Sequence, residues 1–240
     1  MEPYQAVFQR HEVKYLLTCQ QYRALRHVLA GNVQPAAYPR STIWNLYYDT
    51  PDFRLIRTSM EKPAYKEKLR LRSYQLPAGD SPAYVEIKKK FDGIVYKRRQ
   101  QMPYNMAKAF LDGESTSCGQ GQIVRELEWF LHLHAPLAPA MFIYYDRLSL
   151  CGKEDGQLRL TFDANLRWRA WALDFQEGAQ GVPLLKPGQV LLEVKAAHAM
   201  PVWLADMLAA CKAYPGSFSK YGAAYRAMRH PEEKGVYHIA

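Results

Sequence analysis

One pattern limits the folds open to this chain more than any other: short apolar runs in which a cation takes every second place. In KLRLRSY, Lys68, Arg70 and Arg72 alternate with Leu69 and Leu71. Side chains two apart lie on one face of a strand, so the run reads as a strand with one cationic and one apolar face. The pattern recurs. Glu86, Lys88 and Lys90 oppose Val85 and Ile87, and Lys97 shares a face with Arg99. Tyr145, Arg147 and Ser149 share a face, and Arg159, Thr161 and Asp163 oppose Leu158, Leu160 and Phe162. Glu193 and Lys195 oppose Leu192 and Val194, and Arg10, Glu12 and Lys14 oppose Val13 and Tyr15.

A single strand of this kind is ordinarily half-solvated. Seven of them in one sheet crowd like charges, which is destabilising between neighbouring strands. Curling the sheet closed, cations inward, makes the crowding useful. The expected fold is therefore α+β: a closed eight-stranded antiparallel β-barrel with helices packed outside its apolar surface. A lumen lined by Arg and Lys suits a polyanion. A carboxylate beside bound phosphates calls for a divalent cation between them, and Glu193 is the first candidate, with Glu12 and Glu86 next. The alternative for Glu193 is an ion pair with Lys195 or with an arginine of a neighbouring strand.

The rest of the chain is read around these strands. Thr18 opens TCQQ, a capping-box pattern, before a helix over about 19–30 with Tyr22, Leu25, Val28 and Leu29 on one stripe. STIWNLYYDT reads as a strand stopped by Pro51, and DFRLIRTSM as a short helix. Strands at 63–74, 83–90 and 94–102 form a meander through PAGDSP and FDG. A helical zone follows, with a helix near 121–133. Strands at 140–150, 157–163, 165–172 and 188–196 precede helices at about 201–213 and 219–229. With a first strand over about 4–16, the 240 residues read as one domain.

The composition is 48% hydrophobic and 23% charged, which is ordinary for a globular protein. The net charge of +9 points to anionic partners. Nucleic acid is disfavoured, because the cations follow strands rather than one basic helix and no nucleic-acid motif is present. Four cysteines without CxxC spacing read as free thiols of a reducing compartment. The first fifteen residues hold no apolar segment and the chain holds no long apolar run, so a cytoplasmic protein is expected. The pattern gives no oligomeric state.

Nine short motifs occur in order: RHEVKY, YYDTPD, KLRLRSY, VEIKKK, VYKRR, YDRLSL, LRLTFD, LLEVK and FSKY. Together they resemble the polyphosphate polymerase domain of the vacuolar transporter chaperone (VTC) family, in its bacterial form, within the triphosphate tunnel metalloenzymes (the CYTH-like superfamily). The likeness runs from about residue 8 to 226. It implies an eight-stranded tunnel that binds ATP and polyphosphate with Mn²⁺ or Mg²⁺, and an ATP:polyphosphate phosphotransferase without a protein nucleophile. The family's phosphate-binding cations fall on Lys14, Arg70, Arg72, Lys88, Lys97, Arg147 and Arg159, with Arg99 a looser match; Lys68 joins them from the strand pattern. Ser219 and Lys220 match an "SK" near the chain end, Tyr145 an aromatic near the nucleotide, and Glu193 the metal-binding glutamate.

The sequence departs from the family at two places. Many tunnel enzymes begin Glu-x-Glu-x-Lys, whereas Arg10 stands at the first acid, which argues against a two-metal triphosphatase. Ser217 stands where the polymerase pattern has a lysine. The alternatives to synthesis are a metal-dependent triphosphatase or polyphosphatase, with Glu12 or Glu86 as base, and a non-catalytic domain that binds polyphosphate or an inositol phosphate. The fungal polymerase works in a membrane complex, so the resemblance also admits a membrane-protein partner at the inner face of the membrane.

Overall fold

The computed structural model describes residues 11–92, 94–114, 119–197 and 199–231. In them the alternating runs become strands of one antiparallel sheet. The elements are β1 (His11–Leu17), α1 (Cys19–Leu29), β2 (Val33–Asp49), α2 (Arg54–Met60), β3 (Tyr65–Ser73), β4 (Pro82–Phe91), β5 (Ile94–Pro103), α3 (Tyr104–Leu111), α4 (Gln122–Leu133), β6 (Ala138–Gly152), β7 (Arg159–Arg169), β8 (Val182–Pro183), β9 (Val190–Ala196), α5 (Val202–Ala210) and α6 (Lys220–Arg229). The strand order is β1-β9-β7-β6-β2-β3-β4-β5, with the short β8 beside β7. Of the first expected strand, residues 4–10, Arg10 among them, lie outside the described residues.

Local chemistry sets most boundaries. Thr18 caps α1 with a full capping box: its hydroxyl accepts from the Gln21 amide while the Gln21 side chain accepts from the Thr18 amide. Asp49 ends β2 and starts α2, accepting from the backbone amides of Thr50, Leu55 and Ile56 and from the Tyr221 hydroxyl at 2.8 Å. β2 begins earlier than expected, running through Pro35 and Pro39. Neither proline has a partner on the β3 side, and on the β6 side the register shifts between Pro35 and Arg40, the kind of irregular edge that tolerates residues without an N–H. The two strands expected at 157–163 and 165–172 are one, β7. Asn165 carries a φ of 53°, which asparagine tolerates, beside a register shift that lets the ladder continue.

The sheet corrects the expectation of a closed eight-stranded barrel with all helices outside. Its path ends at β1 and β5, and no ladder joins those two strands among the described residues, so the wall stays open. It curls strongly nonetheless. Glu12 of β1 and Lys88 of β4, near opposite ends of the path, approach to 3.9 Å. The cation-bearing face is therefore the concave one.

The helices divide between the two faces. On the convex face, Leu69, Leu71, Val85 and Ile87 pack with α3 and α4, and Leu160, Leu192 and Val194 with α1 and α5. Each of these side chains is at most 1% exposed, and burying one contributes about 1.5–3 kcal/mol. The second correction lies on the concave face. Ile43, Tyr47, Ile143, Tyr145 and Leu191 form a third core there with Ile56 of α2 and with Tyr221, Ala223 and Ala224 of α6. Tyr47 pairs with Arg70, and Leu191 lies two residues from Glu193, so this core shares the face of the cations. Half of the concave face is plugged, and the charged half remains. Among the described residues no helix is long and apolar enough to cross a membrane, and Cys19, Cys151 and Cys211 are free thiols.

Candidate anion-binding site

The register of the sheet brings most of the expected cations to the charged half of the concave face. Lys68, Arg70 and Arg72 stand on β3 opposite Lys88, Glu86 and Tyr84 on β4, and Glu86 and Lys88 stand opposite Arg99 and Lys97 on β5. Across the bore, Lys14 of β1 pairs with Glu193 of β9, which pairs in turn with Thr161 of β7, while Arg147 of β6 pairs with Asp163. Two clusters result.

The first cluster surrounds Glu86, 1% exposed. Its carboxylate touches Arg70 Nη2 at 2.7 Å, Lys97 Nζ at 2.7 Å, Arg99 Nε at 3.4 Å and Arg72 Nε at 3.7 Å. Burial alone would raise its pKa, but Arg72, Arg70 and Lys97 outweigh burial and hold it well below the ordinary glutamate value. Arg70 also donates to the Tyr47 hydroxyl at 3.1 Å, and Arg72 to Asn45 Oδ1 at 2.9 Å. Both guanidiniums are thus fixed before any ligand arrives.

The second cluster is built on two buried acids, Asp163 and Glu193. Arg147 grips Asp163 with two bonds, Nε to Oδ1 at 2.6 Å and Nη2 to Oδ2 at 2.7 Å. Lys220, the first residue of α6, bridges the pair, 2.7 Å from Asp163 Oδ2 and 2.9 Å from Glu193 Oε1. Lys195 stands 3.4 Å from Glu193, so that ion pair is present too. Burial pushes the Glu193 carboxyl up, yet Lys220, Lys195, Lys14 and Arg147 hold it well down. Glu12 lies 3.2 Å from Lys14. Burial opposes its charge, but Lys88 and Lys14 bring it down to about 2.

The lysines between the clusters carry the strain of crowding. Burial, then Lys88 and Lys14, push Lys68 down to about 7; it donates to Ser219 Oγ at 3.0 Å. Ser219 also caps α6, accepting from the Gly222 amide, and Lys14 donates to the Phe218 carbonyl at 2.9 Å. Lys88 falls to about 8, through burial and Lys14 against the pull of Glu12. These are cations without enough anions.

Two expected residues sit apart. Arg159 is exposed at the end of β7, opposite Lys195 and Cys151. Tyr145 is 2% exposed, with Arg147 Cζ 5.3 Å and Lys220 Nζ 4.7 Å from its ring centre. It underlies the cations. Sequence reasoning also passed over Asp163, Asn45 and Tyr47. The place of Asp163 in the alternation Arg159-Thr161-Asp163 was the available signal; nothing local marks Asn45 or Tyr47.

The resemblance implies a divalent cation among these donors. Among the described residues no group of three or more His, Cys, Asp or Glu could hold a metal. Glu193 and Glu12 lie on paired strands, two residues apart along the ladder, and Thr161 Oγ1, buried without a hydrogen-bond partner, belongs to the residue facing Glu193. One or two carboxylates completed by phosphate oxygens and water is the ordinary Mg²⁺ or Mn²⁺ environment, so these residues fit. Glu86, enclosed by four cations, fits least.

The fold has relatives. A crystal structure from Bacillus halodurans described as a "putative adenylate cyclase" superposes with a TM-score of 0.59 at 15% identity, over 90% of this chain and 96% of that one. A protein of the same description from Vibrio parahaemolyticus gives 0.47 at 13% identity, over 91% and 98%. A Mimivirus capping-enzyme triphosphatase gives 0.35 at 7%, over 84% and 88%. The first shows a shared fold, and the other two carry no argument. No curated protein matches the sequence. The family model of the VTC domain matches residues 9–229, a span that holds every strand of the cationic wall. The chain belongs to the VTC domain family.

Proposed function

We propose that this protein is a metal-dependent enzyme of triphosphate chemistry, and that it transfers the γ-phosphate of ATP to a growing polyphosphate chain. One observation supports this above all. Among the described residues of the two clusters, Lys14, Lys68, Arg70, Arg72, Lys88, Lys97, Arg99, Arg147, Lys195 and Lys220 outnumber the four carboxylates Glu12, Glu86, Asp163 and Glu193, each of which is held by cations within the wall. Such a site has positive charge left over for a polyanion.

The chemistry asks little else. Arg70 and Arg72, fixed by Glu86, Tyr47 and Asn45, would orient one end of the triphosphate, and Arg147 and Lys220, fixed by Asp163, the other. A terminal oxygen of the growing chain would attack the γ-phosphorus as the bond to the ADP oxygen breaks. That nucleophile is already an anion, so no general base is required, and rate would come from positioning and charge neutralisation. A Mn²⁺ or Mg²⁺ ion held by Glu193 and Glu12 would supply neutralisation of phosphate oxygens. With Glu86 and Asp163 gripped by arginines and lysines, and Glu12 and Glu193 given to the metal, none of the four is left as a base for water, which favours transfer over hydrolysis. The same excess charge would retain polyphosphate itself; a membrane-protein partner could receive the product.

The test is turnover. Full-length protein with ATP and Mn²⁺ should yield polyphosphate of gel-resolvable length, with ADP released in step. Free phosphate in place of polymer would assign hydrolysis, and a rise in melting temperature without turnover would assign binding alone.

A further inference from the structure

Beyond the phosphate cradle, at the end of the bore where β3, β4 and β5 run out, the concave face changes character. Tyr84 lies two residues before Glu86 on β4, about 7 Å along the strand, and its partners across the sheet are Arg72 and Gln101. Tyr74 follows β3 and is 40% exposed. The guanidinium of Arg99 lies over the Tyr84 ring, 3.5 Å from its centre, and 5.4 Å from the centre of the Tyr74 ring. Its Nη2 donates to the Tyr74 hydroxyl at 3.3 Å. The rings meet edge to face at 5.5 Å. Arg99 Nε is buried without a hydrogen bond, its nearest anion being Glu86 at 3.4 Å.

We propose that Tyr74, Tyr84 and Arg99 form a stacking site for the base of a nucleotide whose phosphates lie on Arg70 and Lys97. This rests on the phosphate-binding reading above. Three observations carry it. The aromatic pair continues the rows of β3 and β4 that hold the cations, so a ligand anchored at Glu86's arginines extends over it. Arg99 belongs to both groups, touching Glu86 with its Nε and the tyrosines with its guanidinium plane. Tyr74 keeps an accessible ring, whereas Tyr145, the other aromatic of the site, is sealed beneath Arg147 and Lys220. A polyphosphate chain has no use for a π surface. A nucleobase does, and stacking of this kind tolerates any base. The site would therefore separate nucleotide from polymer at one mouth of the bore without choosing strongly among nucleotides.

The experiment compares two ligands on the full chain by calorimetry: ATP and inorganic triphosphate, each with Mg²⁺. Tyr74→Ala should weaken ATP about tenfold and leave inorganic triphosphate within about twofold. Tyr74→Trp should keep ATP near the unaltered value, and GTP should behave as ATP does. Equal loss of both ligands in Tyr74→Ala would overturn the proposal, since Tyr74 would then act on phosphates through Arg99. So would unchanged ATP affinity. If the unaltered protein binds neither ligand, the phosphate-binding reading fails first and this one with it. If it binds both equally well, only the stacking site fails.

Discussion

Replacing Glu86 with glutamine keeps the shape of the side chain and deletes its charge. Four cations converge on it, at 2.7 Å (Arg70), 2.7 Å (Lys97), 3.4 Å (Arg99) and 3.7 Å (Arg72). Breaking a buried ion cluster by removing one partner costs about 3–5 kcal/mol, because the remaining charge stays buried and unpaired. Water reaches 42% of the Lys97 side chain and 28% of that of Arg99, which places Glu86→Gln near the lower figure. At about 2–4 °C per kcal/mol for a chain of this size, the variant should melt about 6–12 °C lower at pH 7. The pH dependence separates charge from packing. Glu86 has a folded value well below its ordinary 4.5, so its stabilisation is complete above 4.5 and is lost as pH falls from there through the folded value. The gap between the two proteins, measured by thermal melts from pH 7 down to 3, should be constant at first and narrow below about pH 4.5. No gap at pH 7, or one of constant size through the acid range, would refute the account of Glu86 as the anion that holds the arginines.

Two further outcomes follow from the second half of the site. Lys68, pushed down to about 7 by burial and neighbouring lysines, is charged below that value, so its discharge alone should weaken inorganic triphosphate about fivefold between pH 7 and 8; Lys68→Arg should remove most of the fall in a calorimetric titration, leaving the smaller part due to Lys88 at about 8, and an identical profile in both proteins would contradict it. Lys220→Met leaves Asp163 and Glu193 adjacent without their bridging cation, so urea unfolding at pH 7 should show a loss of about 3–5 kcal/mol, and an unchanged midpoint would sink the reading.

Strand alternation made β3, β4 and β5 legible with their cationic faces, because period two is a local property of the chain. It could not show how far the sheet closes. Curvature depends on twist and register between β1 and β5, which no short run of residues records. The burial of α6 was hidden for a related reason. The run at about 219–229 reads as a helix, but which face of the sheet its Tyr221, Ala223 and Ala224 cover depends on the whole path of the chain. Glu86 and Glu193 stood out as acids among cations. The sequence could not tell that Glu86 would be ringed by four of them, since all four partners come from the neighbouring strands β3 and β5. Ser219 and Lys220 were marked by resemblance alone, and the fold explains them: the cap of α6 is aimed into the charged half.

β5 closes one end of the sheet path, so its outer backbone groups form a free edge among the described residues. Edges of this kind template pairing with a second chain, and natural proteins discourage that with lysine and other charges. Lys97 and Arg99 stand on one face of this strand, beside Glu86, and Arg98 on the other, beside Glu126. Two copies meeting edge to edge would bring these cations together from both faces, and their repulsion acts against fibre growth. The charges flanking the edge are in this sense a solubility device. Neutral replacements along β5 would be expected to leave a stickier protein, whatever they do to a ligand.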